Sequence, residues 1–394
     1  MHPHHRVYIY PKAIKKLKNF YPSLYSDDLS SVEGNPQSGE LVEVVTPEGE
    51  ILGVGFYHPT AHIRVRLVSL EVPLKLDDDF IKNRLKGALA LRHSLLSAKR
   101  KAIRWVHAEA DSLPGLVVDQ YNQYLVIQIR NAGMESIRGL VVQQLRSLLK
   151  PKGILERSDM EQRSEEGLPI RTELLWGEVP EKIQIEEHGF PFWVDPYHGQ
   201  KTGYYLDQYD TRGKFFHSIK PKERVLDLFQ YTASFGIGAA RLGAQVIGMD
   251  LNKSAFALAK ENAKLNGLKT EIEFIEGDAF YLLQVKADQK EKFDWLILDP
   301  PSLAKRRDEI PQARYKLQKL IYNGLCCLNP GGKLLVSICT YHLHSIFEEL
   351  VRIAAGDLRK KIWIFDQSQQ SPDHPHILQI PESYYLRSLF CQVL

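Results

Sequence analysis

The first part of the chain is punctuated by glycine and proline, and between them apolar and polar positions alternate in short runs. The stretches ELVEVVTPEG, EILGVGFYHP and HIRVRLVSL all show this period of two residues. Such a period is typical of strands that bury one face. The pattern therefore predicts a small β-rich domain over residues 1–72.

The next part of the chain, residues 73–185, mixes two periods. The stretch DDDFIKNRLKGALALRH has apolar residues at helical spacing, after an acidic start that suits a helix N-terminus. The runs GLVVDQYNQYLVIQIRN and IRTELLWGEVPEKIQIEEHGFPFWVD then predict hairpins, the second turning at His188 and Gly189. We expect a mixed α+β middle domain.

A third pattern begins near residue 186, where short apolar runs alternate with stretches of helical spacing. The runs are RVLDLF, QVIGMDL, EIEFIEG, DWLILDPP and KLLVSIC. Together they predict an α/β domain over residues 186–394, in which helices cover both faces of a mostly parallel sheet. Ligands of such sheets bind at the carboxyl ends of the strands.

The overall charge restricts the classes of function. Lys plus Arg number 51 and Asp plus Glu number 48, a net charge of +3. That is too little for a protein coated in positive charge, so any nucleic-acid surface must be local. The sequence shows neither an apolar run of about 18 residues nor a secretory leader. We expect a soluble, cytoplasmic protein that does not contact membranes.

The cysteines favour neither a disulfide scaffold nor a metal site. Cys326, Cys327, Cys339 and Cys391 form no C-x-x-C pair, which a zinc ribbon would need. The histidines of the opening MHPHH are better explained as a ragged terminus than as ligands. We expect no bound metal.

Carboxylates follow successive strands of the predicted sheet. The stretch VLDLFQYTASFGIGAA leads from a strand through Asp227 into a small-residue helix that contains Gly236. Asp250 ends the following strand, where a carboxylate can accept both hydroxyls of a ribose. Asp278, in EGDAF, follows the strand after that. Three carboxylates at successive strand ends predict a nucleoside cofactor rather than three unrelated turn caps.

The glycine pattern decides between two such cofactors. The dinucleotide fingerprint G-x-G-x-x-G, whose glycines let a pyrophosphate approach the backbone, is absent. S-adenosylmethionine has no pyrophosphate, and its ribose and cationic groups suit a pocket lined by carboxylates. We therefore expect S-adenosylmethionine.

A rigid corner follows the fourth strand. Asp299 is followed by Pro300, Pro301 and Ser302. The prolines fix the backbone and remove donors, which creates an extended corner that can stack on a flat base. Such a corner favours methyl transfer to a nitrogen or a ring carbon of a nucleobase. The next strand ends at Cys339, so we expect its thiol close to Asp299.

Cys339 could be a packing residue, a metal ligand or a nucleophile. Methylation of carbon 5 of cytosine requires a thiolate to add to carbon 6, which makes carbon 5 nucleophilic. A hydrogen bond from a protonated Asp299 to ring nitrogen 3 would assist. A thiol is only a few per cent ionised at pH 7, so nearby positive charge or donors are expected, with His342 a candidate. The position at a strand end favours the nucleophile over packing.

The stretch DPYHGQKTGYYLDQYDTR precedes the first strand of this sheet. Its Lys201 and Thr202 suggest a phosphate loop, but no glycine immediately precedes the lysine, so the G-x-x-x-x-G-K-[ST] pattern fails. We interpret the stretch as a lid over the substrate or cofactor.

Several stretches in one order make the chain resemble a known family. They are GVGFYHPTAHIRVR, EADSLPGLVVDQY, LERSD, GQKTGYYLDQYDTR, LDLFQYT, DPPS, the cysteine strand and HPHILQIPESYYL. The chain resembles the RlmI-like group of class I methyltransferases, which form 5-methylcytosine in large-subunit ribosomal RNA and carry an N-terminal PUA domain. The resemblance implies a seven-stranded Rossmann-like methyltransferase sheet, S-adenosylmethionine as methyl donor, and ribosomal RNA held partly by the PUA-like domain at residues 1–72.

The resemblance also implies roles for individual residues. Cys339 would be the nucleophile and Asp299 the acid that faces the base. Cofactor contacts would come from Asp227, Phe229, Tyr231, Thr232, Ala233, Phe235, Gly236, Asp250, Asp278, Ala279 and Asp299. Substrate contacts would come from Lys201, Gln208, Arg212, Pro300 and Pro301. A homodimer is a further possibility that the sequence does not decide.

Two departures from the family pattern leave alternatives open. Thr232-Ala233-Ser234 stands where the family usually has Thr-Gly-Gly, which could narrow the cofactor pocket. Ser302 stands where many other RNA cytosine-5 methyltransferases have a second cysteine, so another base must help to release the product. The alternatives are an RNA methyltransferase acting on a guanine or adenine nitrogen, and an RNA-binding protein whose methyltransferase fold is inactive.

Overall fold

The computed structural model describes residues 1–97, 100–268, 271–304 and 306–394. The chain divides into two compact units, neither of which is a continuous stretch of sequence. The first unit consists of Met1–Ile183, Asp195–Tyr204 and Pro372–Pro381. The second consists of Gln184–Val194, Tyr205–Ser371 and Glu382–Leu394. The domain boundaries expected after residues 72 and 185 stay a prediction.

The first unit contains two sheets. Its strands are β1 His5–Ile9, β2 Ser23–Tyr25, β3 Leu29–Glu33, β4 Leu41–Val45, β5 Ile51–Tyr57, β6 Ile63–Ser69, β7 Ala102–His107, β8 Leu116–Tyr121, β9 Tyr124–Ile129, β10 Gly153–Ser158 and β11 Arg171–Gly177. Its helices are α1 Pro11–Lys18, α2 Asp78–Arg92, α3 Ala132–Ser136, α4 Arg138–Leu149 and α5 Gln162–Glu165. The six-stranded sheet has the order β2-β6-β5-β4-β1-β3, and the five-stranded sheet has the order β11-β10-β9-β8-β7.

Local sequence explains how these elements begin and which face they bury. The side chain of Asp77 accepts a hydrogen bond from the amide of Phe80 and so caps α2. That helix buries Ile81 and Leu85 against the five-stranded sheet. Strand β1 of the N-terminal sheet alternates as expected, since Val7 and Ile9 are fully buried between more accessible neighbours. Strand β4 instead buries four of its five residues, so the period of two does not extend through the sheet.

A buried network of charges ties a late segment of the chain into the first unit. Asp373, in Pro372–Pro381, accepts hydrogen bonds from the Arg104 amide at 2.9 Å and forms an ion pair with Arg100 at 2.8 Å. Its carbonyl oxygen accepts a hydrogen bond from Arg92, whose guanidinium also pairs with Asp111. Because buried charges are costly without partners, these arginines depend on Asp373 and Asp111.

The second unit is built on one large sheet. Its strands are β12 Ile183–Glu187, β13 Phe190–Val194, β14 Arg224–Leu228, β15 Gln245–Asp250, β16 Ile272–Glu276, β17 Phe293–Leu298, β18 Leu328–Cys339, β19 Ile362–Gln369 and β20 Leu386–Val393. Its helices are α6 Tyr209–Ser218, α7 Ser234–Arg241, α8 Lys253–Leu265, α9 Ala279–Asp288, α10 Ile310–Cys326 and α11 Phe347–Asp357. Strands β12 and β13 form the predicted hairpin, turning at His188 and Gly189.

The large sheet has seven strands in the order β16-β15-β14-β17-β18-β20-β19. Strands β14 to β18 run parallel, and β20 pairs antiparallel with both β18 and β19. The central strands are mostly apolar because both faces are covered: helices α9, α10 and α11 lie against one core cluster, and α6 and α7 against another. The predicted fold class, an α/β methyltransferase-type sheet after β-rich and mixed regions, is confirmed.

Candidate active site

The candidate site lies at the carboxyl edge of the seven-stranded sheet. Following the sheet order, Asp278 comes after β16, Asp250 ends β15, Asp227 is the penultimate residue of β14, Asp299 follows β17 and Cys339 ends β18. Strands β17 and β18 are hydrogen-bonded neighbours in the register Leu298 to Val336. The expectation that the thiol and Asp299 lie at adjacent strand ends therefore agrees with the topology.

The loop that follows β14 has an unusual backbone. Phe229, Tyr231 and Ala233 all have positive φ angles, of 61°, 50° and 62°. This left-handed conformation costs residues with a side chain about 1–2 kcal/mol each, so contacts elsewhere must hold the loop. Asp250 supplies one of them, because its Oδ2 accepts a hydrogen bond from the Tyr231 amide at 2.8 Å. The backbone N–H of Gln230 supplies another, because it donates to the Met249 carbonyl oxygen at 3.1 Å.

Asp227 lies beneath this loop and is 1% exposed. Its Oδ2 accepts a hydrogen bond from the Gly236 amide at 3.0 Å. A Cβ atom on Gly236 would come within 3.1 Å of that oxygen, so glycine allows α7 to approach the carboxylate. Burial raises the pKa of Asp227 to about 8, the Gly236 hydrogen bond opposes this rise, and the charges of Asp299 and Asp250 add to it.

The site thus gathers the carboxyl groups of Asp227, Asp250 and Asp299 at one edge of the sheet. Polar side-chain atoms are also buried at the loop without a hydrogen-bond partner among the described residues, namely Thr232 Oγ1 and both amide atoms of Gln230. S-adenosylmethionine carries a sulfonium and an ammonium group, and it has hydroxyl and carboxylate oxygens that such donors and acceptors can meet. The residues at this sheet edge therefore fit that cofactor.

Asp278 and Ala279 lie at the start of α9. Asp278 is exposed, and its Oδ1 accepts a hydrogen bond from the Phe280 amide at 2.8 Å, which makes it the N-cap of the helix. Its second carboxylate oxygen has room for another partner. The ring of Phe280 packs edge-on against Phe229 with 5.2 Å between centroids. This pair forms an apolar wall beside the loop that follows β14.

Asp299 is held by Gln208, which was predicted as a substrate contact. The Gln208 amide nitrogen donates to Asp299 Oδ2 at 3.0 Å. Burial of the carboxyl group raises the pKa of Asp299 to about 7, with a further rise from the charge of Asp207 and an opposing effect of Arg212 and of the Gln208 hydrogen bond. A carboxyl group in this range can donate a hydrogen bond at neutral pH, as the predicted role of Asp299 requires.

The proline corner contacts the cysteine. The Cys339 thiol lies 3.7 Å from the carbonyl oxygen of Pro300. Pro300 is buried and Pro301 is exposed, so the corner presents one proline ring to solvent. The hydroxyl of Thr340 donates to the Ala304 carbonyl oxygen at 2.9 Å and fixes the end of the corner. Asp299, Pro300 and Cys339 therefore come together, as expected.

Two other predicted substrate residues have different surroundings. Arg212 is 1% exposed, forms a two-pronged ion pair with Glu187, and donates to the Tyr205 carbonyl oxygen at 2.8 Å. These contacts favour a role in positioning the Tyr205 segment. Lys201 is exposed and belongs to Asp195–Tyr204 of the first unit. Its role as a substrate contact stays a prediction.

Comparison with known proteins shows the family of this chain. Residues 7–70 match the model of the PUA-like domain, and residues 167–376 match that of the S-adenosylmethionine-dependent methyltransferase domain. The chain is 38% identical to the ribosomal RNA large subunit methyltransferase I of Aeromonas salmonicida, over 97% of this chain and 98% of the relative. The chain belongs to the ribosomal RNA large subunit methyltransferase I family.

Other relatives and solved structures extend the comparison. The enzyme of the same name from Tolumonas auensis is 37% identical over 98% of this chain and 99% of its own length. A methyltransferase solved in complex with SAH, SMU.776, has a TM-score of 0.85 and 24% identity, and the likeness covers 98% of this chain and all of that one. A SAM-dependent methyltransferase from Streptococcus mutans superposes with a TM-score of 0.82 at 24% identity, over 98% and 100% of the two chains. At this identity the two structures show the fold alone.

These findings establish the class of the protein. It is an S-adenosylmethionine-dependent methyltransferase with an N-terminal PUA-like domain. Among the described residues, none of the helices is both long and apolar enough to cross a bilayer. The same residues contain no cluster of three or more His, Cys, Asp or Glu side chains able to hold a metal ion.

The structure adds residues that the sequence reasoning did not name. Tyr205 and Asp207 lie in the segment quoted as GYYLDQYDTR, and the Tyr205 ring packs edge-on against Tyr231 with 5.3 Å between centroids. Tyr385 donates a hydrogen bond to Asp207 Oδ2 at 2.8 Å. His342, the candidate for activating the thiol, has its ring 6.2 Å from that of Tyr341, whereas His344 is buried and hydrogen-bonds to the Tyr385 carbonyl oxygen. The sequence signal that could have identified Asp207 is its position directly before Gln208, which was predicted as a substrate contact.

Proposed function

We propose that the protein methylates carbon 5 of a cytosine in large-subunit ribosomal RNA, with Cys339 as a covalent nucleophile. The observation that carries the proposal is that Cys339 and Asp299 lie at adjacent strand ends. The Cys339 thiol is 3.7 Å from the carbonyl oxygen of Pro300, the residue that follows Asp299. The substrate is proposed from the names of the relatives. Such a substrate would place the enzyme in the cytoplasm.

The cofactor would lie on the β14–β16 side of the sheet edge. Asp250 would accept the ribose hydroxyls, Asp227 would face the cationic end, and Phe229 with Phe280 would flank the adenine. Thr232, Ala233, Phe235, Gly236, Asp278 and Ala279 would complete the pocket. When bound there, S-adenosylmethionine supplies an electrophilic methyl group.

The substrate base would lie on the β17–β18 side. The Cys339 thiolate would bond to carbon 6, while Asp299 donates a hydrogen bond or a proton to nitrogen 3, so that electron density moves to carbon 5. Gln208 holds the Asp299 carboxyl in place for this contact. Pro301, exposed on the rigid corner, would pack against the ring. Arg212 would act indirectly by fixing the segment that contains Tyr205 and Gln208.

The covalent step has a direct test. Large-subunit ribosomal RNA transcribed with 5-fluorocytidine should trap the enzyme, because carbon 5 then carries fluorine and the adduct cannot resolve. With S-adenosylmethionine present, we expect a protein–RNA band that survives a denaturing gel. Cys339→Ala should give no band, and the matched control Cys326→Ala, at the end of α10, should give the wild-type band. Trapping by Cys339→Ala would refute the covalent mechanism.

A second candidate is methylation of a guanine or adenine nitrogen, which the Asp299-Pro300-Pro301 corner would also serve and which needs no thiol. Nucleoside analysis of methylated RNA distinguishes the products. An inactive fold is less well supported, because Ala233 adopts the left-handed conformation that this turn requires. The possible homodimer stays a prediction, and light scattering of the purified protein would measure it.

A further inference from the structure

Asp207 is a second carboxylate of the candidate site, and the reaction outlined above gives it no role. It lies in a short 3-10 turn, Leu206–Gln208. Its Oδ2 accepts a hydrogen bond from the Tyr385 hydroxyl at 2.8 Å, and its carbonyl oxygen accepts one from the Ser371 amide, also at 2.8 Å. The turn is therefore fastened by residues close to β19 and β20.

These contacts tie Asp207 to both strand ends of the site. Tyr385 immediately precedes Leu386, which lies directly opposite Cys339 in the β18–β20 register. Residues opposite each other in an antiparallel pair have Cα atoms about 4.5–5.5 Å apart. Gln208, the next residue after Asp207, donates to Asp299. Asp207 is thus linked to the nucleophile on one side and to the base-facing acid on the other.

One oxygen of this carboxylate has no protein partner in the described part of the chain. Asp207 Oδ1 is buried and accepts no hydrogen bond from any described residue. Buried polar atoms are nearly always satisfied, so an exception next to a reaction centre indicates a group that meets substrate. Burial raises the pKa of Asp299, and the charge of Asp207 adds to that rise.

We propose that Asp207 is the base that removes the proton from carbon 5 and releases Cys339 from the methylated cytosine. This inference rests on the proposed function. Two neighbouring carboxyl groups with different environments commonly divide acid and base roles, here Asp299 as acid and Asp207 as base. Such a base is needed because Ser302 stands where many other RNA cytosine-5 methyltransferases have a second cysteine that could help to release the product.

The electrons and protons balance in this step. After methyl transfer, carbon 5 bears both a hydrogen and the new methyl group, and carbon 6 is bonded to the Cys339 sulfur. Asp207 Oδ1 takes the hydrogen as a proton, and the electrons of the C–H bond form the double bond between carbons 5 and 6. The C–S bond breaks and returns its pair to sulfur as thiolate. Asp299 recovers its proton from nitrogen 3, and Asp207 later gives its proton to water.

The test compares ordinary and fluorinated RNA. With ordinary RNA and S-adenosylmethionine labelled in the methyl group, Asp207→Asn should accumulate a labelled protein–RNA adduct and release methylated RNA at least about 100-fold more slowly than wild type. On 5-fluorocytidine RNA the same variant should be trapped as wild type is, because no proton is removed there. Asp210→Asn, the same change three residues further on in α6, should behave as wild type on both RNAs.

The outcomes separate the two proposals. Normal release of ordinary RNA by Asp207→Asn would overturn the role of Asp207. Failure of Asp207→Asn to be trapped on fluorinated RNA, while calorimetry shows normal binding of S-adenosylmethionine, would also overturn it, since the defect would then precede proton removal. Failure of the wild-type enzyme to be trapped on fluorinated RNA would instead refute the proposed covalent function.

Discussion

Asp227→Asn should make the cofactor-free protein more stable and less able to bind its cofactor. Asp227 is buried, and its pKa is raised from 3.8 to about 8 by burial and by the charges of Asp299 and Asp250. At neutral pH the folded state therefore keeps a proton that the unfolded state loses. Asparagine can still accept the hydrogen bond from the Gly236 amide, and it never ionises.

The sign and size of the effect follow from that difference. Because the folded state binds more protons than the unfolded state between pH 3.8 and about 8, the free energy of unfolding falls as pH rises through this range. Each pKa unit corresponds to about 1.4 kcal/mol. Between pH 5 and 7, Asp227 should therefore cost the wild-type protein about 3 kcal/mol. For a domain of this size, that is about 6–12 °C in melting temperature.

Urea unfolding of the cofactor-free protein at pH 5, 6 and 7, followed by circular dichroism, measures the effect. Asp227→Asn should lose less stability with rising pH than the wild type, and Asp308→Asn, an exposed control, should follow the wild type. Calorimetry at pH 7 should show S-adenosylmethionine binding about 10- to 100-fold more weakly to Asp227→Asn, because asparagine cannot ionise to meet the cationic end of the cofactor. Equal pH slopes for the wild type and Asp227→Asn would refute the reasoning.

Three further predictions concern neighbouring features. Ala233→Gly should change the free energy of unfolding by less than about 1 kcal/mol, because relief of the left-handed conformation and the greater freedom of the unfolded chain nearly cancel; urea titration checks it. Arg212→Met should cost about 3–5 kcal/mol by leaving Glu187 buried without its cation, and adding Glu187→Leu should recover part of that loss. The single-turnover methylation rate should fall above about pH 7, because Asp299 then loses the proton that it donates. Asp299→Asn keeps a donor at every pH and should show no such fall.

The sequence was most informative about the site where a general rule relates the position of a residue in the chain to its location in the fold. Parallel strands place their carboxyl ends on one edge, so Asp227, Asp250, Asp299 and Cys339 could be brought together from the strand pattern alone. The seven-stranded sheet itself came from the family resemblance, since the antiparallel β19 and β20 show no distinctive period.

Long-range pairings set the limit of that reasoning. Asp207 and Tyr385 are 178 residues apart, and their contact depends on the register of β20, which no local pattern specifies. The ion pair of Arg212 with Glu187, 25 residues earlier in the chain, was also not predicted, and the role of Arg212 as a substrate contact stays a prediction. Asp278 had a local signal of a different kind, since an aspartate before a helix is a typical N-cap, and the structure shows that contact.

Each of the two units is completed by a segment near the end of this sequence, which has a consequence for biosynthesis. The first unit needs Asp373 to neutralise Arg100 and to bind Arg92, and the second needs β20 to complete the sheet beside Cys339. Both elements lie within residues 372–394. A nascent chain emerging from the ribosome can therefore complete neither unit until nearly all of this sequence has been translated.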